Sequence, residues 1–445
     1  MTTTQNPMGT RKIFPLLVSM SIPPIISMMI QGLYNIVDSI FVAHVSQDAL
    51  TAVSLVYPLQ NLTLSLAVGL GVGLNACIAR SLGAKQPHEA GTAAVHGLLC
   101  TGVHSLLFVL VGLFASRPFL QLFTQDAEIL ELGCQYSTIV VCFSFGSLFH
   151  ICVEKMFQAT GNMMIPMFLQ GLGAIINLIL DPIFIFGWLG LPAMGVAGAA
   201  IATIIGQMSA CAAAVLLFIK TNREIPITIR GFRLRGDVLK RLYAIAIPSA
   251  LVMAMPSFMI SLLNKVLAGI SAVAVNVLGI YFKIQSFTYM PSNGLIQGMR
   301  PIMSFNYGAG RKDRMHETFV RSLQLVFVIM TIGMVVFLAI PGLILSMFAA
   351  DQALLDIGIP ALRIISVSFF LSSPAVIIAG AFEALGRGGR SLLVTMLRQL
   401  LIIPPLSFVL APVLGLTGVW ITFPIAEAIA SVVSIFLYRH LMRRI

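Results

Sequence analysis

The sequence predicts an all-α polytopic membrane protein: twelve transmembrane helices in two six-helix bundles related by a pseudo-twofold axis along the membrane normal. Three observations carry that prediction. Of the 445 residues 58% are hydrophobic and only 10% charged, with a mean hydropathy of +0.97, which is far too apolar for a soluble globular chain. Mainly apolar runs of about 18 residues or more, the length that crosses a hydrocarbon core, recur about twelve times. The two halves of the chain also repeat one another at a fixed spacing.

The predicted spans lie near 14 to 43, 49 to 80, 90 to 115, 128 to 159, 163 to 187 and 192 to 219 in the first half. In the second they lie near 240 to 268, 272 to 304, 315 to 345, 354 to 384, 391 to 413 and 416 to 438. The division predicted is a first bundle over 1 to 219, a linker over 220 to 239 and a second bundle over 240 to 445. The longest polar segment, Lys220 to Arg241, is too short for an ATPase or nucleic-acid domain. The N-terminal stretch MTTTQNPMGTRK lacks a small-residue cleavage site, so span one is expected to be retained as an uncleaved signal anchor.

The formal charge of +11 raises the question of nucleic acid, and the placement of the bases answers it. With both termini assigned to the cytoplasm, the inner segments hold Arg11 and Lys12, Arg80 and Lys85, and the cluster Lys220, Arg223, Arg230, Arg233, Arg235, Lys240 and Arg241. They also hold Arg311, Lys312, Arg314 and Arg321, then Arg387 and Arg390, then Arg439, Arg443 and Arg444; the alternate loop between spans three and four holds Arg117 alone. That asymmetry follows the positive-inside rule, so the charge reports topology and contact with anionic membrane lipids, with no nucleic-acid partner. The six cysteines lie in or beside spans without CxxC spacing and read as small core residues, implying neither disulfide nor metal.

Displacing the sequence by 225 residues aligns Ile22-Pro23 with Ile247-Pro248 and SLGAK at Ser81 with NYGAG at Asn306. The same displacement aligns FTQDAEILELG at Phe123 with FAADQALLDIG at Phe348, and QATG at Gln158 with EALG at Glu383. At span six the shift falls to 220, pairing Gly195 and Gly198 with Gly415 and Gly418. Six spans per repeat is an even number, so both repeats enter the membrane with the same orientation. Parallel repeats of this kind, with a cavity between the bundles, are common in secondary transporters.

Acids inside spans are informative because a carboxylate at the bilayer centre costs about 2.5–3.5 kcal/mol even on a lenient scale. Asp38, Glu154, Asp181, Glu383 and Glu427 are such acids. Asp38 stands about five residues before the outer end of span one and Asp181 about six before that of span five, which places them at similar depth. Asn177 precedes Asp181 by one turn on the same helical face. Pro182 lacks an N–H and so frees the carbonyl of Leu178. Span six returns inward past Thr203. Asp38, Asn177, Asp181 and Thr203 thus form a candidate cation site of hard oxygens, able to hold Na+, or a proton where crowding and burial favour one. The competing reading of Asp181 is an Asp-Pro turn at a helix end. Asn35 is a weaker neighbour of the site, and Tyr34 reads as a packing aromatic.

Glu154, Gln158, Glu383, Arg387 and Arg390 fall toward inner span ends, where a salt-bridged gate or snorkelling is expected rather than substrate contact. Glu427 is a candidate for the second bundle's cavity wall, with Lys283 as its candidate partner; Lys265 and Arg300 are further bases of that half. The seven His residues show no ligand spacing, and the 23 Met and 29 Phe suit both a deformable cavity and ordinary core packing. There is no phosphate loop, HExxH or nucleophile elbow, so the sequence points to a carrier using no ATP and no cofactor rather than an enzyme. An intramembrane enzyme with Asp38 and Asp181 as an acid pair is the reading from another class.

With these residues in view, the chain resembles the multidrug and toxic compound extrusion (MATE) family, in its bacterial branch of MepA-like and DinF-like proteins. The resemblance rests on YNIVDSIFV in span one, GLNACIARSLGAK, QATGN at Gln158, NLILDPIFIFG followed by GVAGAAIAT, and YFKIQSFTYMPSNGLIQGMRPIMSFNYGAG. It implies a monomeric multi-pass exporter in the plasma (inner) membrane of a bacterium, with both termini cytoplasmic. Such an exporter exchanges H+ or Na+ for lipophilic, often cationic, small molecules by alternating access. The family's first-bundle cation residues match Asp38, Asn177, Asp181 and Thr203, whereas acids that some relatives carry in spans seven, eight and ten have no counterpart here. The wider superfamily also implies an alternative, a flippase for a lipid-linked saccharide or other amphiphile.

Overall fold

In the computed structural model, which describes residues 6–228, 230, 232–348 and 351–444, the chain is helical almost throughout. A short α1 (Pro7–Thr10) leads into α2 (Ile13–Ala43), α3 (Gln47–Gly83), α4 (Pro87–Phe114), α5 (Ser116–Gln121), α6 (Ala127–Cys142), α7 (Phe145–Ala159), α8 (Met164–Phe186) and α9 (Gly195–Thr221). After the linker come α10 (Gly236–Ala268), α11 (Ala272–Gly308), α12 (Lys312–Ala339), α13 (Pro341–Ser346), α14 (Gln352–Ala384), α15 (Gly388–Met396) and α16 (Ile403–Met442). Among the described residues nine helices are long and apolar enough to cross a membrane, and α6 with α7, bent by 41°, makes a tenth. The predicted spans eleven and twelve run as one helical stretch that breaks at Gly415, whose φ of 59° and ψ of −141° are not helical; glycine reaches positive φ without a Cβ clash. A π-helical turn, Leu397–Ile402, joins α15 to α16.

The repeat seen in the sequence is a repeat of structure. The short helices α5 and α13 occupy matching places, and each is followed by an Asp that caps the next helix. Asp126 Oδ1 accepts from the Glu128 and Ile129 N–H groups at 2.9 and 3.1 Å, and Asp351 Oδ1 from Leu354 N–H at 2.9 Å. Such caps satisfy first-turn donors that have no partner inside the helix.

The two halves meet through glycines that obey the same symmetry. A Cβ on Gly83 of α3 would lie 1.9 Å from the carbonyl oxygen of Phe305, and one on Gly308 of α11 would lie 1.9 Å from that of Arg80. Higher up, Gly69 and Gly73 of α3 abut Ala246, Ala250 and Leu242 of α10, while Gly294 and Gly298 of α11 abut Ile25, Met20 and Ser21 of α2. Both sets are G-x-x-x-G, the spacing that lets helix backbones approach closely in lipid, where apolar burial gives no drive for association. These contacts lie in the halves of the helices nearest α1 and the linker, hereafter the terminal end.

That end is also strapped by the residues around α1. Asn6 Nδ2 donates to Thr160 O at 3.2 Å and to Glu224 Oε2 at 2.9 Å on one side. On the other side, Met8 O accepts from Asn306 Nδ2 and Arg314 Nη2, both at 3.0 Å, and Gly9 O accepts from Arg311. Met8 is fully buried between the halves.

Candidate functional site

Separate helices bring the predicted cation residues to one place. Asn177 Nδ2 donates to Asp181 Oδ1 at 3.2 Å and to Thr203 Oγ1 of α9 at 3.3 Å. The reach across helices is short because α8 and α9 cross on glycines. A Cβ on Gly206 would sit 2.7 Å from Gly173 O and 3.2 Å from Asn177 Cβ, and one on Gly198 would sit 2.5 Å from Phe184 O. Asp181 is fully buried, and Asn177 and Thr203 nearly so. Asp38 of α2 is an electrostatic neighbour of Asp181.

The competing reading of Asp181-Pro182 as a helix end does not hold: α8 continues to Phe186 and stops at Gly187, with φ of 75°. Two other points differ from the sequence expectation. Tyr34 is more than packing, since it is an electrostatic neighbour of both Asp38 and Asp181. Asn35 faces outward and is exposed; one residue of helical rotation turns it from the site while placing Tyr34 on it. Tyr136 of α6, which the sequence did not single out, is buried near both acids and accepts from Gln60 Nε2 of α3 at 3.3 Å. A tyrosine and a glutamine inside spans carry no charge to mark them, so only the fold shows where they lie.

The site has an excess of acceptors. Asp38 Oδ1, Asn177 Oδ1 and Asp181 Oδ2 are all buried without a hydrogen-bond partner among the described residues. Carboxylates accept only, and the single Asn177 amide donor group is already shared. Buried oxygens in this state call for a proton or a hard cation, and two carboxylates, an amide and hydroxyls are the donor types that bind Na+. No three His, Cys, Asp or Glu side chains converge among the described residues, so the geometry is not that of a transition-metal site.

A second polar cluster spans the two halves. Lys155 of α7, buried and absent from the sequence expectations, places Nζ 3.0 Å from Glu154 Oε1, 3.0 Å from Gln158 Oε1 and 3.2 Å from Gln297 Oε1 of α11. Gln158 Nε2 also donates to Glu154 Oε1 at 2.7 Å. Gly71 makes room for it, since a Cβ there would lie 2.6 Å from Lys155 Cγ.

In the second half one predicted partnership is corrected, and Glu383 finds a partner that the sequence did not name. Glu427 pairs with Arg398 of the π-helical turn at 3.1 Å, and not with Lys283, which is exposed. Glu383 pairs with Arg300 of α11 and accepts from Ser249 and Ser391 at 3.0 and 3.2 Å. Both members of that pair belong to the same half, and Arg387 and Arg390 take no part. Lys155 with Gln297 is a side-chain polar contact that does cross between halves. Lys265 is exposed at the end of α10.

A membrane-embedded repeat of two helical bundles, closed against each other at one end and carrying in one bundle buried carboxylate oxygens without a partner among the described residues, defines a secondary-transporter architecture. A family model described as MatE matches residues 23–183 and 248–409, one segment in each repeat, and the chain belongs to that family of transporters. It is 26% identical over 434 residues to the multidrug export protein MepA of Staphylococcus aureus (strain MRSA252), covering 96% of this chain and 94% of that protein. It is 24% identical over 434 residues to MepA of Staphylococcus saprophyticus. Among solved structures it matches an outward-facing MATE family transporter of the MOP superfamily with a TM-score of 0.92 and 26% identity, over 100% of this chain and 99% of the other. It matches equally a MOP superfamily transporter from Pyrococcus furiosus whose binding pocket is described as having reverse polarity, suggesting a different function.

Proposed function

We propose that the chain exports lipophilic, cationic small molecules across a bacterial plasma membrane in exchange for H+ or Na+. In this reading residues 1–219 and 240–445 are the two moving bundles, 220–239 the cytoplasmic linker, and the terminal end the cytoplasmic side. The observation that carries it is the trio of partnerless buried oxygens on Asp38, Asn177 and Asp181. A proton or Na+ entering from outside removes that excess of acceptors; its departure restores it, so occupancy changes the packing among α2, α8 and α9. Thr203 Oγ1 accepts from Asn177, and the Tyr34 hydroxyl neighbours both acids. Each inward-moving charge gains about 2.3 kcal/mol per 100 mV, between one and two decades of concentration at about 1.4 kcal/mol per decade.

Similarity to MepA supports the drug class, and the match to an outward-facing transporter agrees with the tightest glycine contacts between the halves lying at the terminal end. For transport the halves must part there, which breaks the Lys155–Gln297 contact and the strap around Met8. The test is dye efflux from proteoliposomes under an imposed pH gradient and then a Na+ gradient. Asp38→Asn and Asp181→Asn are expected to abolish coupled efflux at normal expression and folding; wild-type efflux in both would sink the assignment. Whichever gradient drives the wild type identifies the ion.

A further inference from the structure

At the terminal end of the second bundle lies a cleft of about 460 Å³ lined by Lys312, Arg387, Arg390 and Arg444, with Tyr307, Met315 and Leu441 as its less polar wall. No carboxylate lines it, and none of the four cations is within salt-bridge distance of an acid among the described residues. Three of the four are exposed, but Arg390 is half-buried against the Phe382 ring, and its Nη1 is buried with no hydrogen-bond partner. Two other arginines at this end are paired with acids, Arg235 with Glu89 and Asp237, and Arg241 with Glu89 and Asp237.

The backbone adds to the same field. Lys312 opens α12, and Arg387 immediately precedes α15; neither helix has a side-chain N-cap. Two helix N-termini thus present partial positive charge and first-turn N–H groups beside the four cations, a combination suited to oxygen-rich anions. Arginine forks match phosphate oxygens in bidentate geometry, which Lys alone does not. The less polar wall and the position at the helix ends suit a group attached to something greasy.

We propose that this cleft is a phosphate-binding site that takes the headgroup of an anionic phospholipid from the adjoining leaflet. The chemistry is that of a phosphate mono- or diester, which a soluble phosphate shares, so the two sources are separated by measurement. The site is remote from the ion-coupling residues and independent of the transport reading.

The test uses the purified, delipidated full chain in detergent. Thermal unfolding is followed on adding phosphatidylglycerol, phosphatidylcholine, inorganic phosphate or pyrophosphate, and retained lipid is counted by native mass spectrometry. Phosphatidylglycerol is expected to raise the midpoint by a few degrees through preferential binding to the folded state. Phosphatidylcholine is expected to do so far less. The shift and one bound lipid should be lost in R387Q/R390Q and kept in Lys220→Gln, a control outside the cleft. A shift from phosphate or pyrophosphate as well assigns the soluble source to the same site. No shift from any phosphate compound, or a shift and lipid count undiminished in R387Q/R390Q, overturns the proposal. Lipid counting on variants with an unaltered basal midpoint keeps the result separate from misfolding.

Discussion

Glu427 holds the only carboxylate within salt-bridge distance of Arg398 among the described residues, and both side chains are largely buried. Removing one member of such a pair leaves the other charged and unpaired, at a cost of about 3–5 kcal/mol. Glu427→Gln is therefore expected to lower the thermal midpoint clearly, whereas Lys283→Gln, on an exposed side chain, should change stability by no more than about 0.5 kcal/mol. Parallel melts of the two variants decide between the pairing expected from sequence and the pairing found. The contrast shows where residue-level reading stops. Asp38 and Asp181 were recognisable because an intramembrane acid is costly wherever it sits, and their depth could be counted from span ends. Arg398 as a partner was not, because the π-helical turn at Leu397–Ile402 rotates it by an amount that no spacing rule contains. Tyr34 displaced Asn35 for a similar reason: a site on a helix is defined by its angle, and one residue is 100°.

Helix positions and breaks were legible because each is a local property: an apolar run of given length, a glycine at Gly415, a capping Asp at Asp126 and Asp351. Crossings were less so, although G-x-x-x-G at Gly69 and Gly73 and again at Gly294 and Gly298 carried the signal. Reading the glycines by their repeat partners, rather than one at a time, would have found the seam. Its tightest point is reciprocal, with Gly83 against Phe305 O and Gly308 against Arg80 O. A methyl group there meets backbone, which cannot swing aside as a flexible side chain can. Gly83→Ala with Gly308→Ala should thus push the ends of α3 and α11 apart, lengthening the distance between spin labels on Ala84 and Ala309 in the drug-free protein. Gly236→Ala, which meets nothing within 4 Å, should leave that distance unchanged. An unaltered distance in the double variant would mean the seam is not tight in the membrane.

For the whole molecule, closure at the terminal end joins parts that are far apart in the chain. Arg314 Nη2 reaches Met8 O at 3.0 Å and Arg11 O at 2.7 Å, so its loss loosens the hold of the second bundle on the residues around α1, leaving Asn306 and Arg311. Arg314→Ala is expected to favour the state open at that end, raising the rate at which Cys77 reacts with a maleimide. Cys77 lines the neighbouring cleft between α3 and α10, together with Arg80, Arg241 and Tyr307. An unchanged rate would assign the strap no part in closure. The strap also bears on how the protein is made. Its partners Asn306 and Arg314 follow Met8 by 298 and 306 residues, and at roughly 5–20 residues per second the ribosome needs about 15–60 s to supply them. The first bundle must therefore wait in the membrane with Met8 lacking its second-half partners, while Asn6 can already reach Thr160. Assembly is timed by the last half to arrive, and the earliest-made segment is among the final ones to settle.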